Sequence, residues 1–224
     1  MDIPPPPIFK KNARILLISN MNIGPSKYNI QSKKEMIYDT LKNSNLVSEI
    51  HIVSNESIKH FNELTLSFYH CIIYDLLDHG CEIQNPTKEI ENYIKNGGSI
   101  IVTHDHLTYG LKDILGLKSN GSGGTRFFKK VKIVYFEHEI WNSFHNLENW
   151  RTIDIVETHN HYNILNNETQ QVMLSYDNYN DLYLTIRSLG MGKAIFWNSG
   201  HLTFITEQEK KLFINIVAFI LKEK

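Results

Sequence analysis

Four short, uninterrupted apolar runs constrain this chain more than any other feature: Arg14-Ile15-Leu16-Leu17-Ile18-Ser19, His70-Cys71-Ile72-Ile73-Tyr74-Asp75, Ser99-Ile100-Ile101-Val102-Thr103 and Lys193-Ala194-Ile195-Phe196-Trp197. Each is short for a helix, and none shows the polar alternation of a strand with one wet face. Such runs are stable where both faces are covered, as in the centre of a parallel sheet packed between helices. The intervening segments supply those helices. Ser32 with Glu35 makes a capping box, and Met36, Ile37 and Leu41 fall on one face of the helix it opens. Asn85-Pro86 starts a second helix striped by Ile90, Tyr93 and Ile94, and Gly97-Gly98 closes it.

The spacing predicts further strands over Val47 to Val53, Val131 to Phe136, Thr152 to Thr158, Gln171 to Tyr176 and Leu182 to Ile186. The later ones are close enough together to be antiparallel additions at one edge. Leu107 to Leu115 reads as a helix, and Gly116 to Thr125 as a glycine and serine loop. Thr206 with Glu209 caps a last helix whose apolar face is Leu212, Phe213, Ile216, Val217 and Ile220. The expected organisation is an extended proline-rich segment over 1–12, followed by a single domain over 13–224.

Composition narrows the function. The 224 residues carry a formal net charge of −1 with scattered lysines and arginines, so no field exists to attract nucleic acid. The basic stretch Arg126 to Lys132 reads as the solvated face of a strand. No window approaches the roughly 20 apolar residues of a membrane span, and no secretory signal opens the chain. Two cysteines cannot build a disulfide framework. A cytoplasmic protein that engages neither nucleic acid nor membrane is expected. Monomer and homo-oligomer both stay open.

In an open parallel sheet, residues just beyond the strand ends collect on one edge, where such folds bind ligands. That edge gathers His104, Asp105 and His106 after the third run, Asn20 and Asn22 after the first, and Asp75 and Asp78 after the second. Asn198 and His201 follow the fourth. His104 and His201 are the best catalytic candidates, because imidazole transfers protons near neutral pH. Each can equally hold a turn together through its ring nitrogens. Asp105 can orient a histidine, act as a base or cap the next helix, the cap being its commoner role. His104, Asp105, His106, His138, His159, His161 and His201 form a rich set for a divalent metal, yet no local ligand spacing is present. No metal and no cofactor is expected.

Tyr69 to Asp75, Tyr93 to Gly98, the strand leading to Thr103-His104-Asp105, and the segment from Gly190 to His201 together resemble the ThuA-like, or trehalose-utilisation, family. Glu137-His138-Glu139-Ile140 resembles that family's histidine-containing turn. The likeness runs from about Arg14 onward. It implies a flavodoxin-like three-layer α/β/α sandwich of the class I glutamine amidotransferase type, with a mostly parallel sheet and extra antiparallel strands in the second half. Glutamine amidotransferases carry a cysteine nucleophile on the turn after the strand corresponding to Ser99 to Thr103. Here the turn reads Thr103-His104-Asp105-His106, Cys71 sits within the preceding strand and Cys81 lies past its end. Thiolate hydrolysis of glutamine is therefore not expected. The resemblance implies a protein that acts on or binds a carbohydrate or related small molecule, with His104, Asp105 and His201 as catalytic candidates. Asn20, Asn22, Asp75, Asp78, His106, His138 and Asn198 would line the site. The alternatives are a non-catalytic ligand-binding or interaction domain and, behind it, a divalent-metal-dependent hydrolase.

Overall fold

The computed structural model describes residues 9–10, 12–19, 33–75, 87–103, 109–119, 125–126, 129–156, 158–159, 162–176, 181–199 and 206–222. All four apolar runs are strands: β1 (Arg14–Ser19), β3 (Cys71–Asp75), β4 (Ser99–Thr103) and β13 (Gly192–Trp197), with β2 (Glu49–Ser54) preceding β3. Their apolar residues are buried because helices lie on both sides. Odd-numbered residues such as Leu17, Ile73, Ile101 and Ile195 face α1 (Lys33–Ser44) and α6 (Glu207–Leu221). Even-numbered ones such as Ile18, Tyr74, Val102 and Phe196 share a cluster with the other helices. These are α2 (Asn55–Ile58), α3 (Glu63–Leu66), α4 (Thr87–Lys95) and α5 (Tyr109–Leu115). The two-residue side-chain period of a strand divides one run between two cores.

After α5 come β5 (Leu117–Ser119), β6 (Thr125–Arg126), β7 (Lys130–Ile133), β8 (Thr152–Asp154), β9 (Thr158–His159), β10 (Tyr162–Ile164), β11 (Thr169–Ser175) and β12 (Leu182–Leu189). One nine-stranded sheet runs in the order β2-β1-β3-β4-β13-β12-β11-β7-β8. The four pairings from β2 to β13 are parallel, and the four from β13 to β8 are antiparallel. A mostly parallel sheet was expected; the sheet is evenly mixed instead. β11, β12 and β13 follow one another through short connections, which can only return antiparallel. The expected loop over Gly116 to Thr125 also contains strand β5, which pairs with β10. Leu117 and Tyr162, both buried, hold that ribbon against the face of the sheet that α2 to α5 cover, where Tyr162 meets the edge of Phe196.

Local signals settle the helix ends. Gly97 adopts φ +103, the left-handed conformation that a helix terminus favours in glycine. Thr206 and Glu209 form the expected capping box, each side chain bonded to the other's backbone N–H. Phe9 bridges to Lys222, and Lys10 N donates to Leu221 O at 3.0 Å, tying the start of the described chain to the end of α6. Buried Asn215 of α6 clamps the segment after β7. Its amide donates to Ile140 O and His145 O and accepts from His145 N.

Candidate functional site

Register fixes the edge at which β1, β3, β4 and β13 end. Ser19 stands beside Asp75, Asp75 beside Thr103 and Thr103 beside Trp197. In a parallel sheet, partners at the same register point to the same face, here that of α1 and α6. β1 and β3 are the strands between which the order reverses, since β2 lies outward of β1 and β4 outward of β3. Open α/β sheets bind ligands in the crevice beyond such a reversal.

The row is polar and buried. Ser19 is 1% exposed, and Asp75 and Thr103 are fully buried. Thr103 Oγ1 donates to Asp75 Oδ1 at 2.8 Å. A carboxylate without access to water requires such donors. Among the described residues, the buried hydroxyls of Ser19 and Ser199 have no hydrogen-bond partner. Both lie at this edge.

The row continues past Trp197. Trp197 Nε1 donates to Tyr183 Oη at 3.1 Å, and Tyr183 Oη donates to Glu209 Oε1 at 2.8 Å. Glu209 is fully buried, and its second oxygen accepts from Thr206 N at 2.8 Å. Burial and the facing Glu209 carboxylate both push the Tyr183 phenol well above its ordinary range, so it stays a donor. This network anchors the start of α6 to the start of β12 and the end of β13.

Of the residues expected at the site, Asp75 stands in the centre of the row. Asn198 also lies at this edge, but its side chain is committed to structure: Nδ2 donates to Leu182 O at 3.2 Å. His138 is placed elsewhere. Its Nδ1 accepts from Ile140 N, capping a 3₁₀ turn over Glu139–Asn142, and its ring meets the edge of Phe219 near the end of α6. Lys193, at the start of β13, lies over that same Phe219 ring at 4.7 Å. His138 therefore belongs to the end of the sheet where the parallel strands begin, opposite Asp75. Burial, aided by Lys193, holds its pKa below the ordinary histidine value. Asn20, Asn22, Asp78, His104, Asp105, His106 and His201 lie outside the described residues.

Ser19, Thr103 and the Tyr183–Glu209 pair, which sequence reasoning did not place in the site, complete the polar row in which Asp75 stands. The signal for the first two was present: a polar residue terminates an apolar run at the same register as Asp75. Cys71 starts β3, at the far end from Asp75, and its burial pushes the thiol far up from its ordinary value. Thr103, fully buried with its hydroxyl hydrogen given to Asp75, is a strand-terminal hydrogen bonder rather than an exposed nucleophile. Among the described residues no group of three or more His, Cys, Asp or Glu side chains is placed to hold a metal. No helix among them is long and apolar enough to cross a membrane.

Fold and edge together define an α/β protein with a buried polar row at the reversal point of its sheet. The chain has the fold of the ThuA-like proteins: a ThuA-like protein from Bacteroides uniformis superimposes with a TM-score of 0.66 at 15% identity, over 98% of this chain and 94% of that one. A cytoplasmic protein from Salmonella typhimurium LT2 superimposes with a TM-score of 0.68 at 14% identity, over 94% of this chain and 100% of that one. A β-galactosidase from Bacillus circulans matches at 13% identity and a TM-score of 0.60, with 95% of this chain spanning 31% of that enzyme. No family model matches the sequence, and no curated protein matches it.

Proposed function

We propose that this chain is a cytoplasmic ThuA-like protein that binds a small polyhydroxylated molecule, of the carbohydrate class, at the edge marked by Ser19, Asp75 and Thr103. The observation that carries the reading is the Asp75–Thr103 pair at the reversal point of the sheet, flanked by the unpartnered hydroxyls of Ser19 and Ser199. The buried row shapes this edge, and the amide, carboxylate and imidazole groups of Asn20, Asp78, His104 and His201 are the ones that would exchange hydrogen bonds with sugar hydroxyls. The parallel strands, taken in chain order, follow the 2-1-3-4-5 order of flavodoxin-like sheets, which supports the amidotransferase-like fold type. In this reading His104 acts as acid or base, supported by Asp105, with His201 as a further catalytic candidate. Asn20, Asn22, Asp78 and His106 complete the wall. Cytoplasmic localisation is supported by the similarity to the Salmonella protein.

A second reading, a non-catalytic binding domain on this fold, is favoured by the sequence Thr103-His104-Asp105-His106, which offers no cysteine where amidotransferases place their nucleophile. A panel of monosaccharides and disaccharides, trehalose included, screened by thermal shift and calorimetry tests both. At least one sugar should raise the melting temperature of the wild type and lose that effect in Asp75→Asn. If no sugar stabilises the protein, the carbohydrate reading fails. Where a sugar is bound and turned over, His104→Ala should abolish turnover, and where it is bound unchanged the second reading stands.

A further inference from the structure

The nine-stranded sheet has two edges, and they are finished differently. At one, β8 is three residues long and its outward backbone groups are taken: Asp154 N donates to Gln208 Oε1 and Asp154 O accepts from Thr206 Oγ1, each at 2.6 Å. At the other, β2 runs unbroken beside β1 for six residues. Glu49 N donates inward to Ala13 O. Inward bonds alternate along a parallel ladder, so Glu49, His51 and Val53 bond to β1 while the N–H and C=O groups of Ile50 and Ile52 face away from it. Among the described residues no strand pairs with that outer edge. β2 has none of the lysine, proline or bulge by which edge strands avoid further pairing.

Side chains decide what can pair there. Register puts Glu49 beside Arg14 and His51 beside Leu16, so both point to the face that α2 to α5 cover. Both side chains are more than half exposed. Tyr69 Oη lies 2.8 Å from His51 Nδ1, and with the phenol donating there the imidazole keeps its hydrogen on Nε2. That N–H is unspent, because the Glu49 carboxylate of the same strand is 3.7 Å away, beyond hydrogen-bond reach. A strand that carries an acceptor and a donor two residues apart on one face is complementary to its own copy when the two run antiparallel.

We propose that β2 pairs antiparallel with β2 of a second copy of this chain, about a two-fold axis at Ile50, joining the two sheets into one. In this register the two Ile50 residues exchange N–H···O bonds, and Glu49 of each copy faces His51 of the other. These flanking pairs fall at positions without ladder bonds, where side chains approach most closely. The next register along sets His51 against His51 and leaves Glu49 opposite Val53, so complementarity selects the first. Phe68, 53% exposed and lying against Arg14 on the same face, adds apolar surface beside the seam. The seam includes none of Asp75, Thr103 and Ser199, so neither reading depends on the other.

The test is sedimentation velocity of the full chain across the micromolar range, where wild type should show a monomer–dimer equilibrium. Ile50→Pro deletes an outward N–H while leaving the bonds to β1 in place, and should weaken association about tenfold. Glu49→Lys and His51→Glu should each weaken it about fivefold, and the double variant carrying both should restore it, because the exchanged charges again face each other. Circular dichroism checks that the variants fold, and if Ile50→Pro does not, the charge exchange still decides. A monomer at every concentration, as expected if this edge takes an extended peptide of another protein, would overturn the proposal. So would a dimer that folded Ile50→Pro leaves intact, or a double variant that associates no more tightly than the single ones.

Discussion

Thr103 Oγ1 and Asp75 Oδ1 lie 2.8 Å apart on adjacent parallel strands at the same register, both residues wholly enclosed by the protein. The apolar runs of β3 and β4 each end in one member of this pair. Thr103→Val removes a donor to a buried carboxylate at nearly constant volume and should cost about 1–3 kcal/mol. Thr103→Ser keeps the hydroxyl and should stay within about 1 kcal/mol of wild type. Urea unfolding of the two variants measures the difference, and equal stabilities would show that the bond contributes nothing.

A second buried carboxylate governs the start of α6. Tyr183→Phe removes the hydroxyl that donates to Glu209 and accepts from Trp197, and should cost about 3 kcal/mol. Combined with Glu209→Gln, a double-mutant cycle should give a coupling of at least about 1 kcal/mol, because the two groups share one bond. Additive effects would place the cost in packing alone.

Acid should destabilise the fold through its half-buried histidines. Burial is the largest cause lowering the pKa of His138, His70 and His145 below 6.5 in the folded state. Below that value the unfolded chain gains protons that the folded chain resists. The stability these rings contribute is therefore complete above about pH 6.5 and declines as pH falls from there toward their folded-state pKa values. His138→Asn keeps a side-chain acceptor for Ile140 N and removes one of the three rings. Chemical unfolding at about pH 7 and about pH 5 should give a shallower loss in His138→Asn than in wild type. An unchanged slope would exclude His138 from the acid response.

Much of this architecture can be read from residue order. The uninterrupted runs at Arg14, Cys71, Ser99 and Gly192 form the parallel strands, and Thr206 with Glu209 caps α6 as their spacing implies. These signals are local: burial on two faces demands continuous apolar sequence, and a capping box needs residues three apart. β5 and β10 were missed because each is three residues long, and their pairing joins segments more than forty positions apart. The histidine-containing turn at Glu137 to Ile140 was expected from the family likeness, but not where in the fold it lies. Its place was decided by Phe219 and Asn215, far along the chain in α6.

The sequence by itself determined which segments become buried strands and that β1, β3 and β4 each end in a polar residue, because side-chain transfer from water acts on every segment separately. Only tertiary structure decided which strands are neighbours. That choice placed Asp75 beside Thr103, carried the polar row through Trp197 and Tyr183 to Glu209, and sent His138 to the opposite end of the sheet. Strand order and register depend on contacts between distant segments, and no local pattern encodes those contacts.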